Sequence, residues 1–313
     1  MSSKHLVDPQ LLRLLEQFPP TSLSDENLHA RRDELKALLV PPPATRGVAI
    51  AETFIPGPAG APRVRVLTYA PVAAGAVRPG IVHIHGGGYV VGVPEMQLAT
   101  NVARSEAADC VIVSPDYRLA PESPFPQPLE DCYATLKWLH ANAAELGVDR
   151  ARIAVAGESA GGGLAAALAL LARDRGEIPL CFQLLIFPMI DDRTAIAEPH
   201  PYTGEFIWTP AKNAYAWKAY LGDGPGRADV SPYAAPARSL DLTRLPPAYI
   251  EVGALDLFFE EDLEYARRLT HAGVPTELHV YPGAFHGFQA AIASDLAATS
   301  RANTLSALKR AFR

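Results

Sequence analysis

A chain of 313 residues stands near the upper size for one hydrophobic core, so a single large domain carrying an insertion competes with two domains. With 49% hydrophobic and 20% charged residues, and 29 prolines spread along its length, the composition excludes a disordered or fibrous protein. The net charge of -6, without any run of Lys or Arg, leaves no electrostatic footprint for nucleic acid or an anionic membrane, so a small-molecule partner is expected.

The N-terminal stretch MSSKHLVDPQLLRLLEQ lacks the uninterrupted apolar region and cleavage site of a signal peptide, and a cytoplasmic location is expected. The longest uncharged apolar stretch, residues 159–172, is too short to span a bilayer, so no integral membrane association is expected. Cys110, Cys132 and Cys181 are odd in number, widely spaced and set among apolar neighbours, which favours buried free thiols over a disulfide framework or a metal site.

Leu11, Leu14, Leu15 and Phe18 recur at helical spacing, and a second helical pattern runs through Leu28, Leu35, Leu38 and Leu39. The segment PPPATRG at 41–47 breaks that pattern. VAIAETFI and VRVLTYA then read as strands joined by the turn-rich PGPAGAPR, an opening antiparallel ribbon. From Gly80 onward apolar runs alternate with helices: IVHIH, CVIVS, a helix through Leu129, Cys132, Tyr133, Leu136 and Leu139, and RIAVAG. GGGLAAALALLA follows as a helix, CFQLLIF and AYIEVGA as strands, Leu263–Leu269 as an amphipathic helix, TELHVY as a strand, and a C-terminal helix closes the chain. This alternation predicts an α/β protein with a mostly parallel, buried sheet and crossover helices.

Between the strands ending near Phe187 and beginning near Ala248 lie about 60 residues, far beyond the usual connection of about 2–6. An insertion is expected there, with a helix from Pro210 to Leu221 that Thr209 could cap. Its segment 201–220 holds Tyr202, Phe206, Trp208, Tyr215, Trp217 and Tyr220, as an apolar cap over an active site would. Most of these rings can equally build the cap's own core, so no single one is assigned to substrate.

Gly157-Glu158-Ser159-Ala160-Gly161 follows the strand IAVA and opens a helix, the setting in which a G-x-S-x-G turn holds its serine exposed. Chance would supply roughly 0.07 such motifs in a chain of this composition, so a capping serine in a Gly-rich helix start is the weaker reading. His85-Gly86-Gly87-Gly88 follows the strand IVHI, and bare backbone amides in such a loop can face an oxyanion. A serine nucleophile needs a base, and His286 lies in the Gly-bounded loop PGAFHGF after a late strand. His279 falls inside a strand, His140 and His271 fall on helices, and His85 is expected to shape its own loop. Asp256 in GALDLF follows the strand AYIEV, where loop-borne catalytic groups collect, and becomes the acid that orients His286. Glu251 is a rival for that role, whereas Glu260, Glu261 and Asp262 read as the solvated first turn of the next helix. The chain order Ser159, Asp256, His286 is the one expected for an α/β-hydrolase.

His85–Gly88, the segment PDYRLAPE at 115–122, Gly157–Gly161, Asp256 and His286-Gly287-Phe288 together resemble the hormone-sensitive lipase family of esterases, its bacterial branch above all. The resemblance covers the chain from about residue 45 to its end. It implies an α/β-hydrolase fold with helices on both faces of the sheet and a helical cap. Residues 1–45 would form part of that cap, and residues 46–313 the catalytic domain with a cap insertion at about 190–235. It also implies an oxyanion hole made by Gly87, Gly88 and the Ala160 N–H, with the loop from Asp116 to Pro121 supporting it. Glu158 departs from the Asp or Thr that many relatives place before the nucleophile.

The expected function is a serine carboxylesterase acting on a small-molecule ester of short to medium acyl chain, through an acyl-enzyme. No metal or organic cofactor is implied, because nucleophile, base and electrophilic donors all come from the chain. A monomer or homodimer is expected. Amide or lactone hydrolysis and acyl transfer use the same triad, and a non-catalytic small-ligand receptor is the reading from another class; an intact Ser159, Asp256 and His286 argues against the receptor.

Overall fold

The computed structural model describes residues 2–18, 20–39, 47–73, 77–198 and 200–313. The helix-breaking segment 41–47 lies, except for Gly47, outside the described residues, as does the boundary between residues 45 and 46.

Among the described residues eight strands form one sheet: β1 (Val48–Ile55), β2 (Val64–Pro71), β3 (Arg78–Ile84), β4 (Val111–Asp116), β5 (Val148–Glu158), β6 (Phe182–Ile186), β7 (Ala248–Gly253) and β8 (Thr276–Tyr281). Their spatial order is β1-β2-β4-β3-β5-β6-β7-β8. β1 and β2 form the expected antiparallel ribbon, and β2 also meets β4 antiparallel. Every other neighbouring pair is parallel.

The helices are α1 (Leu12–Gln17), α2 (Leu28–Ala37), α3 (Leu98–Ala108), α4 (Gln127–Ala141), α5 (Ala160–Arg175), α6 (Pro210–Leu221), α7 (Phe259–His271) and α8 (Asp295–Ala311). The crossover helix α3 has no counterpart in the sequence reading, because two of its four buried positions, Asn101 and Ser105, are polar and only Leu98 and Val102 carry an apolar signal.

Successive residues of each strand face opposite sides of the sheet. Ile153 and Val155 of β5 therefore join the core containing α4, α5 and α7, while Ala154 and Ala156 join the one containing α3 and α8. α5 is buried from Ala160 to Ala172, and its many small residues let it lie close against the sheet. It stops where Gly176 takes a left-handed conformation, φ 66°, and returns its N–H to the Ala172 carbonyl.

The insertion contains α6, which starts at Pro210 with Thr209 accepting from the Lys212 N–H, as the sequence implies. Its buried face includes Trp217 and Tyr220, whose rings lie 5.4 and 3.9 Å from that of Tyr89. These two rings build the core beneath the insertion.

The N-terminal leucines pack less fully than their spacing suggests. Leu11 and Leu14 are buried in the core that also holds Phe285 and Phe288, but on α2 only Leu28 is buried, and Leu38 just past its end is 66% exposed. Beside the buried Leu28 and the partly buried Leu35, a charge anchors α2: Arg32 donates to the Val90 and Ala120 carbonyls at 2.8 and 2.9 Å and pairs with Glu122. No helix among the described residues is long and apolar enough to cross a membrane.

Candidate active site

The sheet delivers four loops to one end. β3 runs into His85–Gly88, β5 into Ser159, β7 into Asp256 and β8 into His286, each just beyond a strand's carboxyl end.

Ser159 lies between β5 and α5 with φ 56° and ψ −123°, a conformation that costs a non-glycine residue energy and persists only where its surroundings enforce it. Its N–H donates to the Ile186 carbonyl at 2.9 Å, and its carbonyl accepts from the Gly163 and Met189 amides, both at 2.9 Å. The flanking glycines are required sterically: a Cβ on Gly157 would lie 2.2 Å from the Gly161 oxygen, and one on Gly161 2.1 Å from the Ile84 oxygen.

Ser159, His286 and Asp256, 127 and 30 residues apart in sequence, are brought into one chain of hydrogen bonds. His286 Nε2 lies 2.9 Å from Ser159 Oγ, and Nδ1 lies 2.8 Å from Asp256 Oδ2. A carboxylate only accepts, so Nδ1 carries the proton in the neutral ring and Nε2 turns its lone pair to the hydroxyl. Asp256 is wholly buried, and its other oxygen accepts the Phe258 N–H at 3.0 Å. The acid and histidine loops are joined directly by Leu255 N–H donating to the Ala284 carbonyl at 2.9 Å. The imidazole is gripped edgewise by Phe187 and Phe258, with ring centroids 4.7 and 5.2 Å away.

Gly87 and Gly88 have φ of 122° and 59°, and side chains at either place would collide with neighbours, the Val91 carbonyl and the Trp208 ring respectively. Ala160 is the first residue of α5, so its N–H has no partner within the helix. His85 is fully buried, stacks on Tyr117 at 4.3 Å and donates from Nδ1 to the Gly86 carbonyl at 2.8 Å. Burial pushes its imidazole down to about 4, so the ring is neutral. The Tyr117 hydroxyl in turn donates to the His85 carbonyl at 2.9 Å, so the loop following β4 braces the glycine loop.

Glu251 is buried away from this hydrogen-bond chain and accepts from the hydroxyls of Tyr249 and Ser300 at 2.7 and 2.6 Å. Glu261 and Asp262 correct the sequence reading: they stand on the first turn of α7, yet both are buried. Glu261 accepts from the Ile190 and Asp191 amides at 2.8 and 3.2 Å, so a tertiary partner replaces the solvent. Desolvation raises both carboxyls well above their ordinary range. Glu158 points to the α3 side of the sheet, where His83 Nε2 lies 2.8 Å from it and Arg104 3.5 Å. Burial opposes its ionisation most, but the attraction of His83 and Arg104 prevails and holds the carboxyl below its usual range.

Trp208 is the site residue that sequence reasoning left unassigned. Its ring centroid is 6.2 Å from that of His286, and it covers Gly88. The density of aromatics in the insertion was the only signal, and it does not separate Trp208 from Trp217.

A family profile described as alpha/beta hydrolase fold matches residues 81–290. The chain belongs to the α/β-hydrolase family. Within it, this hydrolase stands among the hormone-sensitive-lipase-like esterases and is a carboxylic ester hydrolase. It is 37% identical over 314 residues to the carboxylesterase NlhH of Mycobacterium tuberculosis, covering 98% of this chain and 96% of that one. Esterase LipI of the same organism is 37% identical over 290 residues, covering 91% and 88%. A solved bacterial heroin esterase superposes on the whole of the hydrolase, over its own full length, with a TM-score of 0.94 and 38% identity.

Proposed function

We propose that this hydrolase cleaves short- to medium-chain acyl esters through Ser159, His286 and Asp256 and an acyl-enzyme intermediate. The observation that carries the reading is the unbroken path from Ser159 Oγ through the imidazole to Asp256 Oδ2, in links of 2.9 and 2.8 Å. His286 Nε2 takes the hydroxyl proton as Oγ attacks the ester carbonyl, and the imidazolium so formed is stabilised by Asp256. The amides of Gly87, Gly88 and Ala160 hold the oxyanion. Collapse of this intermediate expels the alcohol, which takes the proton from Nε2. Water then attacks the acyl group with His286 again as base, and the carboxylic acid leaves.

The preference for small acyl groups is supported by Trp208, which closes the space beside His286. The N-terminal residues belong functionally to the cap: the Ser3 hydroxyl donates to Glu205 at 2.6 Å, and Tyr215 of α6 donates to Asp25 at 2.9 Å.

The test is labelling with a fluorophosphonate followed by peptide mass spectrometry, alongside turnover of p-nitrophenyl esters of graded acyl length. A phosphonyl adduct on Ser159 with loss of activity is expected. An adduct elsewhere, or full activity after labelling of Ser159, overturns the reading.

A further inference from the structure

We propose that Glu251 is a positioning residue that clamps both ends of the loop carrying His286, so that the imidazole stays between Asp256 and Ser159. The inference rests on the role given to His286 above.

The loop spans residues 282–288. Tyr281 immediately precedes it, and its hydroxyl donates to Glu251 Oε2 at 3.3 Å. Gln289 immediately follows it, and its amide donates to Glu251 Oε1. One carboxylate thus holds residues on either side of the histidine loop. Ser300 of α8 donates to the same Oε1 at 2.6 Å and accepts from Gln289 Nε2 at 2.8 Å, so the downstream anchor is itself fastened to a long helix. The Tyr249 hydroxyl donates to Oε2 at 2.7 Å, and Asn303 of α8 donates to the Tyr281 hydroxyl at 3.0 Å. The main chain of Glu251 adds a further restraint: its carbonyl accepts the Phe187 N–H at 2.6 Å, and the Phe187 ring lies edgewise on the His286 imidazole.

Glu251 is fully buried and is surrounded by donors; no Lys or Arg pairs with it among the described residues. Desolvation raises its carboxyl above the ordinary range, although the hydrogen bonds from Ser300 and Tyr249 oppose this. The clamp therefore acts by hydrogen bonding, and the negative charge is dispensable. Hydroxyls of Tyr249 and Tyr281 can rotate to accept, so a glutamine at 251 can keep most of the network. Alanine leaves Gln289 and the two tyrosines without their common acceptor. A misplacement of about 1 Å in a reacting group can cost about 10²-fold, enough for a loosened loop to appear in turnover rather than in binding.

The experiment compares Glu251→Gln, Glu251→Ala, Gln289→Leu, the double variant Glu251→Ala/Gln289→Leu, and His286→Ala on one p-nitrophenyl ester, with melting temperatures for each. A buried variant remote from the loop, Leu269→Ala, controls for general destabilisation. Glu251→Ala is expected to lower kcat at least about 10-fold with KM changed less than about twofold, while Glu251→Gln keeps kcat within about threefold. Gln289→Leu should lower kcat in the wild type but add nothing to Glu251→Ala, because the two share one interaction. Leu269→Ala should lose melting temperature without a matching loss of kcat. Near-normal kcat in Glu251→Ala, Gln no better than Ala, or additive losses in the double variant overturns the clamp. Should Glu251→Ala prove insoluble, Gln289→Leu decides through its split between kcat and KM, an unchanged kcat overturning the proposal. Near-normal turnover in His286→Ala removes the function proposed above; loss of turnover there beside a normal Glu251→Ala removes the clamp alone.

Discussion

The indole of Trp208 fills the space that any side chain at position 88 would require: a Cβ built on Gly88 would lie 2.2 Å from Trp208 Cη2. A residue of the insertion thus meets the backbone of the glycine loop directly. Trp208 is fixed there by its own Nε1–H, which donates to Asn213 of α6 at 3.2 Å. The glycine at 88 makes room for the insertion's indole as well as for the turn of its own loop.

Gly88→Ala should therefore lower kcat/KM by about 10²-fold, the scale associated with losing one oxyanion donor, since either the loop or the indole must move. Shortening the indole by Trp208→Ala in the Gly88→Ala background should recover part of that loss. Steady-state kinetics of the two single variants and the double variant check this, and strictly additive losses would contradict the steric account.

Ser159→Ala should reduce ester turnover by several orders of magnitude while circular dichroism and melting temperature change little, because the hydroxyl makes few packing contacts. Asp256→Asn should cost about 10⁴-fold, since an amide facing Nδ1 favours the wrong tautomer and turns the imidazole proton toward Ser159. If Glu251→Gln were the more damaging of the two carboxylate changes, the acid would have to be reassigned.

His85 gives a pH dependence of stability with a definite sign. Its folded imidazole titrates at about 4 and an unfolded one near ~6.5, so between these values the unfolded chain binds more protons. The burial of His85 costs nothing on this account above pH ~6.5, and destabilises the fold by up to about 3 kcal/mol as pH falls toward 4. The raised carboxyls of Glu251, Glu261 and Asp262 tilt the same window the opposite way, so the quantity to measure is a difference. Urea unfolding of wild type and His85→Gln from pH 7 to 4.5 should show the wild-type advantage shrinking as pH falls. Parallel curves would mean that His85 binds its proton equally well in the folded and unfolded chain, which contradicts the lowered value.

The architecture was legible because parallel strands buried on both faces read as continuous apolar runs, and IVHIH, RIAVAG and CFQLLIF mark the centre of the sheet. The positions of Ser159, Asp256 and His286 were legible because each lies in a short motif at a strand end. Pairings between distant residues were not. Glu158 looked like a local departure in the nucleophile turn until His83, 75 residues earlier, appeared beside it. Glu261 looked solvated because three acids in a row suit an exposed helix start, and its partners, the Ile190 and Asp191 amides, lie some 70 residues away. The helix α2 was legible from its leucine spacing, but its anchoring by Arg32 to the Val90 and Ala120 carbonyls, 58 and 88 residues away, was not.

The place of Trp208 makes the proposed acyl-chain preference testable. Its ring stands 6.2 Å from the His286 ring and covers Gly88. If the indole limits the acyl site as proposed, wild type should favour p-nitrophenyl esters of about two to six acyl carbons over long-chain esters, whose remaining methylenes would lack apolar cover. Each further methylene that does find apolar cover is worth about 0.8 kcal/mol, or roughly fourfold in kcat/KM. Trp208→Ala should extend that gain to longer chains, moving the optimum upward by several carbons, while acetyl ester turnover falls less than about 10-fold because the hydrogen bonds of Ser159, His286 and Asp256 do not involve the indole. Profiles of kcat/KM from acetyl to dodecanoyl esters decide the matter. An unchanged optimum in Trp208→Ala would place the acyl chain on another side of Ser159 and assign the indole to support of the glycine loop alone.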